Sequence, residues 1–173
     1  MKNTDAFFMS ITEGVSHFSK CFSRKIGAIL VSNDKIIIST GYNGPPRGVP
    51  HCDSPIRHKE INRLMPQIKD PIPKNKCPRK FLGFASGEGL FLCPAAHAER
   101  NCIINAARSG ISTLNSTLYL NTTFPCKECC IEIVNAGIIR VVSLIPEFYD
   151  DMGKWILEQA GIEMSTCTIE VGG

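Results

Sequence analysis

The spacing of apolar residues predicts alternating helices and strands along most of the chain. Apolar residues recur at helical intervals over 7–18, which predicts an amphipathic first helix. Two short apolar runs, 26–31 and 36–40, flank the segment Ser-Asn-Asp-Lys, whose Asn and Asp tolerate turn geometry, so they predict a β-hairpin. The later pattern predicts, in order, helix 97–108, strand 117–121, helix 126–135, strand 138–144, helix 151–160 and strand 162–169.

This order of elements predicts an α/β fold in which a sheet of five strands lies between layers of helices. The leading hairpin makes the sheet mixed rather than purely parallel. The loop that follows the hairpin, Gly41–Gly48, reads Gly-Tyr-Asn-Gly-Pro-Pro-Arg-Gly and fits neither helix nor strand. We expect it to be a loop of defined shape.

Residues 50–94 interrupt the regular pattern. Seven of the 11 prolines fall there, and residues 57–80 carry eight Lys or Arg against Glu60 and Asp70. The rest of the chain has an excess of acidic residues, so the basic character is local to this segment. A solvated loop and a phosphate-binding surface both account for it. We expect one domain over 1–173 with an insertion at about 50–94.

Length and composition narrow the class of protein. The 173 residues suit one globular domain, and 43% hydrophobic residues with a net charge of +3 exclude general disorder. No apolar stretch approaches the roughly 20 residues of a membrane-spanning helix, and the start does not resemble a signal peptide. We therefore expect a cytoplasmic protein without a membrane partner. Nine cysteines, an odd number, in a reducing compartment favour metal ligands, catalytic groups or buried thiols over disulfides.

The residues that point to chemistry lie at the starts of two predicted helices. His97-Ala98-Glu99 opens one, and Pro125-Cys126-Lys127-Glu128-Cys129 opens the other. One imidazole and two thiolates supply three ligands of a tetrahedral zinc ion and leave the fourth position for water, as in catalytic zinc sites. Cys126 and Cys129 are three residues apart and share a helix face, but Cys130, four residues after Cys126, satisfies the same geometry. Spacing alone leaves the choice open.

Glu99 is the informative member of this set. Two residues from His97, it is poorly placed to bind the same ion but can reach a water molecule bound there. Zinc lowers the pKa of such a water to about 7. A carboxylate can then carry the proton to the substrate and to a departing amine. His-x-Glu followed by Pro-Cys-x-x-Cys is the signature of zinc-dependent deaminases of nucleobases.

The sequence resembles the deoxycytidylate (dCMP) deaminases of bacteria and phages, within the zinc-dependent cytidine deaminase superfamily. The resemblance extends over most of the chain outside the insertion. It is carried by the two zinc motifs, the Gly41–Gly48 loop, the segments 21–28, 49–53 and 148–150, and Trp155. It implies the three-layer cytidine-deaminase-like fold and Cys129, not Cys130, as the third zinc ligand.

The resemblance also implies a reaction and a set of roles. The reaction is the hydrolytic deamination of dCMP to dUMP, a precursor of thymidylate, with Glu99 as the catalytic proton carrier. We expect Asn43 to bind the deoxyribose, because its amide can both donate and accept a hydrogen bond. We expect Arg24 to bind the 5′-phosphate, since arginine grips phosphate with two N–H groups. Tyr149 is expected to stack on the base.

Regulation and assembly are further implications of the resemblance. Such enzymes are activated by dCTP and inhibited by dTTP, form homotrimers or homohexamers, and bind the effector with Mg²⁺ on its phosphates. Gly44, Arg47 and Arg108 are the expected effector or subunit-interface residues. Some phage relatives hold a second, structural zinc ion. The residues here that could bind it are Cys21, His51, Cys52, Cys77 and Cys93.

Two alternatives remain at this stage. The first is a deaminase of another cytosine nucleotide or of adenosine in tRNA. Binding of nucleic acid predicts a basic face with stacking aromatics, and one tryptophan with a net charge of +3 does not favour such a partner. The second is a zinc-stabilised binding module without catalysis, in which a fourth protein ligand closes the metal and Glu99 is dispensable.

Overall fold

A computed structural model describes residues 4–68 and 70–167. The chain begins with one helix and the predicted hairpin, continues through the short helices of the insertion, and then alternates helices with strands. The elements in chain order are α1 (Thr4–Ser16), β1 (Gly27–Val31), β2 (Ile37–Tyr42), α2 (Pro55–Leu64), α3 (Pro78–Phe81), a 3₁₀ turn (Leu90–Leu92), α4 (Ala98–Arg108), β3 (Thr117–Leu120), α5 (Lys127–Asn135), β4 (Arg140–Ser143), α6 (Asp151–Gln159) and β5 (Glu163–Thr166).

The strands form one mixed sheet in the order β2-β1-β3-β4-β5. Strand β1 is antiparallel to both β2 and β3, whereas β3, β4 and β5 are parallel to one another. The parallel strands need crossover connections, and α5 and α6 provide them. The carboxyl end of β3 therefore leads directly into the loop before α5, where the cysteine motif lies.

Helices cover both faces of the sheet, which confirms the predicted α/β fold with its mixed five-stranded sheet. Successive residues of β1 point to opposite faces. Ile29 packs with Phe8 and Met9 of α1 on one side, and Leu30 packs with residues of α4 and α5 on the other. All five residues of β1 are buried, as expected for a strand covered on two faces.

Two glycines fix how closely helices approach the sheet. A Cβ atom on Gly27 of β1 would overlap the main chain of Thr12 and Ser16 in α1. A Cβ on Gly41 of β2 would overlap the carbonyl oxygen of Ala98 and the amide of Cys102 in α4. Main chain thus touches main chain at both places, and α4 lies directly on the hairpin.

The predicted elements agree with the structure to within a few residues, except in the insertion. Helices α2 and α3 and the 3₁₀ turn were not predicted there. Pro55 and Pro78 interrupt the periodic pattern, yet each stands in the first turn of a helix, where the missing N–H costs nothing. The last predicted strand extends to residue 169, and residues 168 and 169 lie outside the described part of the chain.

None of the helices over 4–68 and 70–167 is both long enough and apolar enough to span a bilayer.

Candidate active site

The predicted zinc ligands meet at the starts of two helices. His97 is the N-cap residue of α4, Cys126 is the N-cap residue of α5, and Cys129 lies in the first turn of α5. The ligand atoms of these three residues all lie within 4.8 Å of one another. His97 Nδ1 is 3.4 Å from the Cys126 sulfur and 3.3 Å from the Cys129 sulfur. Ordinary zinc bond lengths place nitrogen and sulfur at two corners of a tetrahedron about 3.6 Å apart, so the donor set fits the ion.

Cys130 does not belong to this cluster. Its side chain is buried in the apolar layer beneath α5, and its thiol points back to the carbonyl of Pro125, 3.4 Å away. Burial raises the pKa of the Cys130 thiol to about 12, which disfavours the thiolate that a metal needs. Among residues 4–68 and 70–167, only His97, Cys126 and Cys129 form so close a group of three potential ligands.

The starting point of α4 is held by the glycine-containing loop. Gly44 and Ala96 form an isolated antiparallel bridge with reciprocal N–H···O bonds of 3.2 and 2.9 Å. Ala96 directly precedes His97, so the bridge fixes the main chain from which the imidazole extends. The effector contact expected at Gly44 stays a prediction, whereas the structure gives its main chain a positioning role.

Asp150 holds the start of the cysteine helix, and sequence reasoning missed this function. One carboxylate oxygen accepts a 2.9 Å bond from the Lys127 N–H at the start of α5, and the other accepts from Gly153 N–H at the start of α6. Phe124 and Phe148 stack beside it with ring centroids 4.5 Å apart. The sequence signal was Asp at the N-cap of a predicted helix, which marks a capping residue but not the second helix that it also serves.

Glu99 lies in the first turn of α4 and is 5% exposed. Burial raises the pKa of its carboxyl group, and the nearby His97 ring opposes part of that effect. The carboxyl interacts with the Cys129 thiol, so it lies at the metal-ligand cluster. A buried carboxyl at such a position has an increased tendency to hold a proton at neutral pH.

The two ligand thiols differ in their affinity for a proton. A hydrogen bond from the Cys129 thiol, assisted by His97, lowers the pKa of Cys126 to about 4. The Cys126 thiolate in turn holds the proton on Cys129, whose pKa is raised, and burial adds to this effect. Hydrogen bonding to Cys126 raises the pKa of His97.

The expected substrate residues fall into two places. Arg24 is exposed, and its Nη2 lies 3.5 Å from the hydroxyl of Ser86 in the insertion. The Tyr149 hydroxyl lies against Gly87, the next residue of the insertion. The segment 86–87 therefore contacts both side chains, a connection that the sequence pattern did not reveal.

Asn43 is 8% exposed and its amide bonds the main chain of the segment before β1. Its side-chain oxygen accepts a 2.9 Å bond from Ile26 N–H, and its NH₂ group donates a 2.9 Å bond to the Arg24 carbonyl. Asn43 thus fixes the main chain that carries Arg24. One donor and one acceptor position of the amide remain for the predicted sugar contact.

The remaining predicted residues lie around α4. Arg47 donates a 2.8 Å bond to the side chain of Asn105. Arg108 is exposed in the last turn of the same helix. Asn105 and Asn101 also donate to carbonyls of β2, at Thr40 and Tyr42, and so attach the helix to the edge strand. Arg47 therefore contacts the second half of α4, and Arg108 lies at the opposite end of that helix from His97.

Four cysteines form a second group at the base of the insertion. Cys21 precedes β1, Cys52 lies before α2, Cys77 is the N-cap residue of α3, and Cys93 ends the 3₁₀ turn. Burial raises the pKa of the Cys52 thiol to about 11, and the proximity of the other three thiols adds to this. These thiols are spread more widely than the His97 cluster. His51 instead faces Gly44 of the loop.

Comparison with known proteins places this site in a family. Residues 2–145 match the family described as the cytidine and deoxycytidylate deaminase zinc-binding region. The chain belongs to this family.

Its relatives include deoxycytidylate deaminases. The enzyme of phage T4 is 36% identical over 166 residues, covering 87% of this chain and 82% of the phage protein. The enzyme of Schizosaccharomyces pombe is 29% identical over 92% of this chain, which spans only 42% of the yeast protein. The dCMP deaminase of cyanophage S-TIM5, solved with dCMP and dUMP, superposes with a TM-score of 0.66 at 25% identity, covering 96% of this chain and 98% of that one.

Proposed function

We propose that the protein catalyses the hydrolytic deamination of dCMP to dUMP and ammonia. One observation carries the proposal: a His-Cys-Cys cluster lies beside the buried Glu99 in a chain 36% identical to the T4 deoxycytidylate deaminase. The cyanophage relative was solved with this substrate and product. A zinc-stabilised binding module without catalysis would not account for the buried carboxyl of Glu99 beside the ligands.

The ligand set assigns the roles of the chain's own residues. His97 Nδ1 and the sulfurs of Cys126 and Cys129 would hold the zinc ion, which supplies an activated water for attack on C4 of the pyrimidine. Glu99 accepts a proton from that water and delivers it to N3. It then transfers the second proton to the exocyclic amino group, which departs as ammonia. One water is consumed, and the carboxylate is regenerated.

Arg24 and Tyr149 are the proposed contacts for the rest of the nucleotide. The exposed Arg24 offers its guanidinium to the 5′-phosphate, while Tyr149 offers a 43% exposed ring to the base. Asn43 is proposed to contact the deoxyribose with the part of its amide that the main chain does not use. Discrimination between nucleotides would then depend on the segment 86–87, which contacts both Arg24 and Tyr149.

A deamination assay on protein of measured zinc content tests the proposal. We expect release of ammonia from dCMP at a rate well above that from cytidine or dCTP. Removal of zinc with a strong chelator should abolish turnover, and added zinc should restore it. Turnover of adenosine in tRNA but not of dCMP would refute the substrate assignment, and absence of any deamination by zinc-loaded protein would favour the binding module.

Regulation and assembly belong to the same proposal. We propose activation by dCTP with Mg²⁺, inhibition by dTTP, and a homotrimer or homohexamer in the cytoplasm, that of the host if the gene is phage-borne. Arg47 and the Gly41–Gly48 loop support this, because Gly44 pairs with the residue before His97, so that a ligand on the loop can act on the site. Titration of dCMP turnover with dCTP and dTTP, together with the mass in solution, tests these points.

We propose that residues 50–94 are an insertion within a single deaminase domain, held by a second, structural zinc ion. Over its described residues, the insertion's own cluster of buried side chains consists of Ile61, Ile72 and Leu92, with partly buried apolar residues packed against them. So small a core does not order a segment of this length without a further crosslink. The proposed donors are the thiols of Cys21, Cys52, Cys77 and Cys93, which would connect the insertion to the segment before β1; in the structure no three of them lie within 4.8 Å of one another, so binding of zinc would draw them together.

Metal analysis tests the second zinc. We expect two zinc ions per chain in the wild type and one in Cys77→Ser, with Cys167→Ser as the control because Cys167 packs against α1 on the other side of the sheet. A single zinc in the wild type would exclude the structural site.

A further inference from the structure

Residues 84–89 of the insertion form a tight loop around the side chain of Arg79. Its Nε donates to the Glu88 carbonyl, and its Nη2 donates a 3.2 Å bond to the Ala85 carbonyl. The Glu88 carboxylate closes the loop by accepting a 3.0 Å bond from the Ala85 N–H. Arg79 forms no ion pair over 4–68 and 70–167, so its guanidinium is committed to the main chain of this loop.

The tip of this loop is the turn from Ala85 to Glu88, which a 3.2 Å bond from the Glu88 N–H to the Ala85 carbonyl closes. Gly87 stands at the third position of the turn with a φ of +84°, as in a type II turn, where a side chain would be strained. Ser86 and Gly87 are exposed, and their N–H groups donate to no protein group in the described part of the chain. The turn thus presents unused hydrogen-bond donors.

These donors lie beside two of the proposed substrate contacts. The Ser86 hydroxyl is 3.5 Å from Nη2 of Arg24. A Cβ atom on Gly87 would lie 3.4 Å from the Tyr149 hydroxyl. The tip is therefore in contact with the proposed phosphate-binding arginine on one side and with the proposed base-stacking residue on the other.

The charge around the tip favours an anion. Lys80, which follows Arg79, donates a 3.4 Å bond from Nζ to the carbonyl of Ser23, so a second cation lies beside the segment that carries Arg24. Neither Lys80 nor Arg24 pairs with a carboxylate among the residues that the structure describes. A phosphate monoester carries nearly two negative charges at neutral pH and accepts several hydrogen bonds at once.

We propose that Arg79 is a positioning residue for recognition of the substrate's 5′-phosphate. By holding the carbonyls on both sides of the turn, it places the Ser86 hydroxyl and the N–H groups of the tip where they bind the phosphate together with Arg24. The insertion in this way makes the site select a nucleotide over a nucleoside. This inference rests on the proposed function, because it takes dCMP as the substrate.

The test compares Arg79→Met and Arg79→Lys with the control Arg63→Gln, which changes an exposed arginine elsewhere in the insertion. The quantities measured are KM and kcat for dCMP, and the inhibition constants of dUMP and of deoxyuridine, which lacks the phosphate. We expect Arg79→Met to raise the KM for dCMP and the inhibition constant of dUMP by about 5- to 30-fold, with kcat within about twofold of wild type. Inhibition by deoxyuridine should not change.

Two further variants sharpen the test. Arg79→Lys still offers a donor to the carbonyls, so it should lose less than Arg79→Met, and Arg63→Gln should match the wild type. In Arg79→Met the tip is already displaced, so adding Ser86→Ala should weaken dUMP no further. Losses that multiply in this double variant would contradict the inference.

The outcomes separate this inference from the proposed function. Failure of zinc-loaded wild type to deaminate dCMP would overturn the proposed function, and it is measured before any variant. Unchanged constants in Arg79→Met, or equal weakening of dUMP and deoxyuridine, would overturn the role of Arg79 and leave the deamination in place. If Arg79→Met does not fold, Glu88→Ala decides, because it removes the other side-chain contact that closes the loop. Unchanged inhibition by dUMP in that variant contradicts the inference.

Discussion

The deaminase sheet and the insertion are stabilised in different ways. The sheet buries apolar side chains on both faces, and its two layers together include residues from all of its helices except α2 and α3. The insertion has a cluster of three buried apolar residues and depends on polar contacts, such as those of Arg79 with the carbonyls of Ala85 and Glu88. The candidate metal ligands lie at the starts of helices that pack on the sheet, whereas Arg24 and Tyr149 contact the insertion. The candidate metal ligands and the proposed substrate contacts therefore lie next to two differently stabilised parts of the chain.

The largest effect on dCMP turnover is expected at the buried carboxyl of Glu99. Glu99→Gln keeps the shape of the side chain but cannot carry a proton, so dCMP turnover should fall by about 10²- to 10⁴-fold. Zinc content and thermal stability should stay near wild type. Glu132→Gln is the control, because Glu132 pairs with Arg100 at the surface of α5 and does not belong to the ligand cluster. Normal turnover by Glu99→Gln would contradict the mechanism.

The two cores should respond differently to the same kind of truncation. Leu118→Ala in β3 opens a cavity in the main layer and should cost about 2–5 kcal/mol of unfolding free energy. Ile61→Ala removes a side chain of equal burial from α2, but we expect it to loosen the insertion locally and to change global unfolding much less.

Denaturant unfolding and limited proteolysis measure these two responses. Leu118→Ala should shift the midpoint, whereas Ile61→Ala should increase cleavage within 50–94. Equal shifts of the midpoint would mean that the insertion and the sheet unfold as one unit.

The ion pair between Asp5 and Arg140 predicts that the free energy of unfolding depends on pH. Two hydrogen bonds from Arg140, of 2.9 and 2.8 Å, hold the pKa of Asp5 below its ordinary value of 3.8. The group binds a proton less readily in the folded state, so its stabilisation is complete above about pH 4 and is lost as the pH falls through the lower folded pKa.

Asp5→Asn should lower the free energy of unfolding by about 2 kcal/mol at neutral pH, because the largely buried guanidinium of Arg140 loses a charged partner. Urea unfolding at several pH values measures both points. The difference between the wild type and Asp5→Asn should shrink below pH 4, and a constant difference would contradict the assignment.

The smallest effect is expected where the insertion contacts the substrate side. Ser86→Ala removes the hydroxyl 3.5 Å from Arg24, which should free the guanidinium and raise the KM for dCMP by roughly 2- to 10-fold without changing kcat. Ser10→Ala on the exposed face of α1 is the control. A fall in kcat with constant KM would place Ser86 in the chemistry instead.

Local patterns sufficed for the sheet and for the two helix starts that meet at the His97 cluster, whereas spacing did not choose between Cys129 and Cys130. The strands alternate with helices at recognisable spacing, and each zinc motif opens a helix, so the order of motifs already predicted that they converge. The same patterns are uninformative for α2 and α3, because a proline such as Pro55 or Pro78 interrupts a periodic pattern equally whether it ends a helix or starts one.

The sequence pattern also does not predict hydrogen bonds between residues that lie far apart along the chain. Asp150 serves two helices at once, and Asn43 bonds the segment before β1, 17 residues away. Such pairs are set by how the sheet brings segments together, and single-sequence periodicity carries no information about them.

The glycine at position 41 has a consequence for how proteins with this fold can diversify. Because backbone rests on backbone where β2 meets α4, the distance between the hairpin and the helix that carries Glu99 cannot be adjusted by exchanging side chains for larger or smaller ones. A change of substrate within the family is therefore expected to come from the loops around this contact, and not from the spacing between β2 and α4.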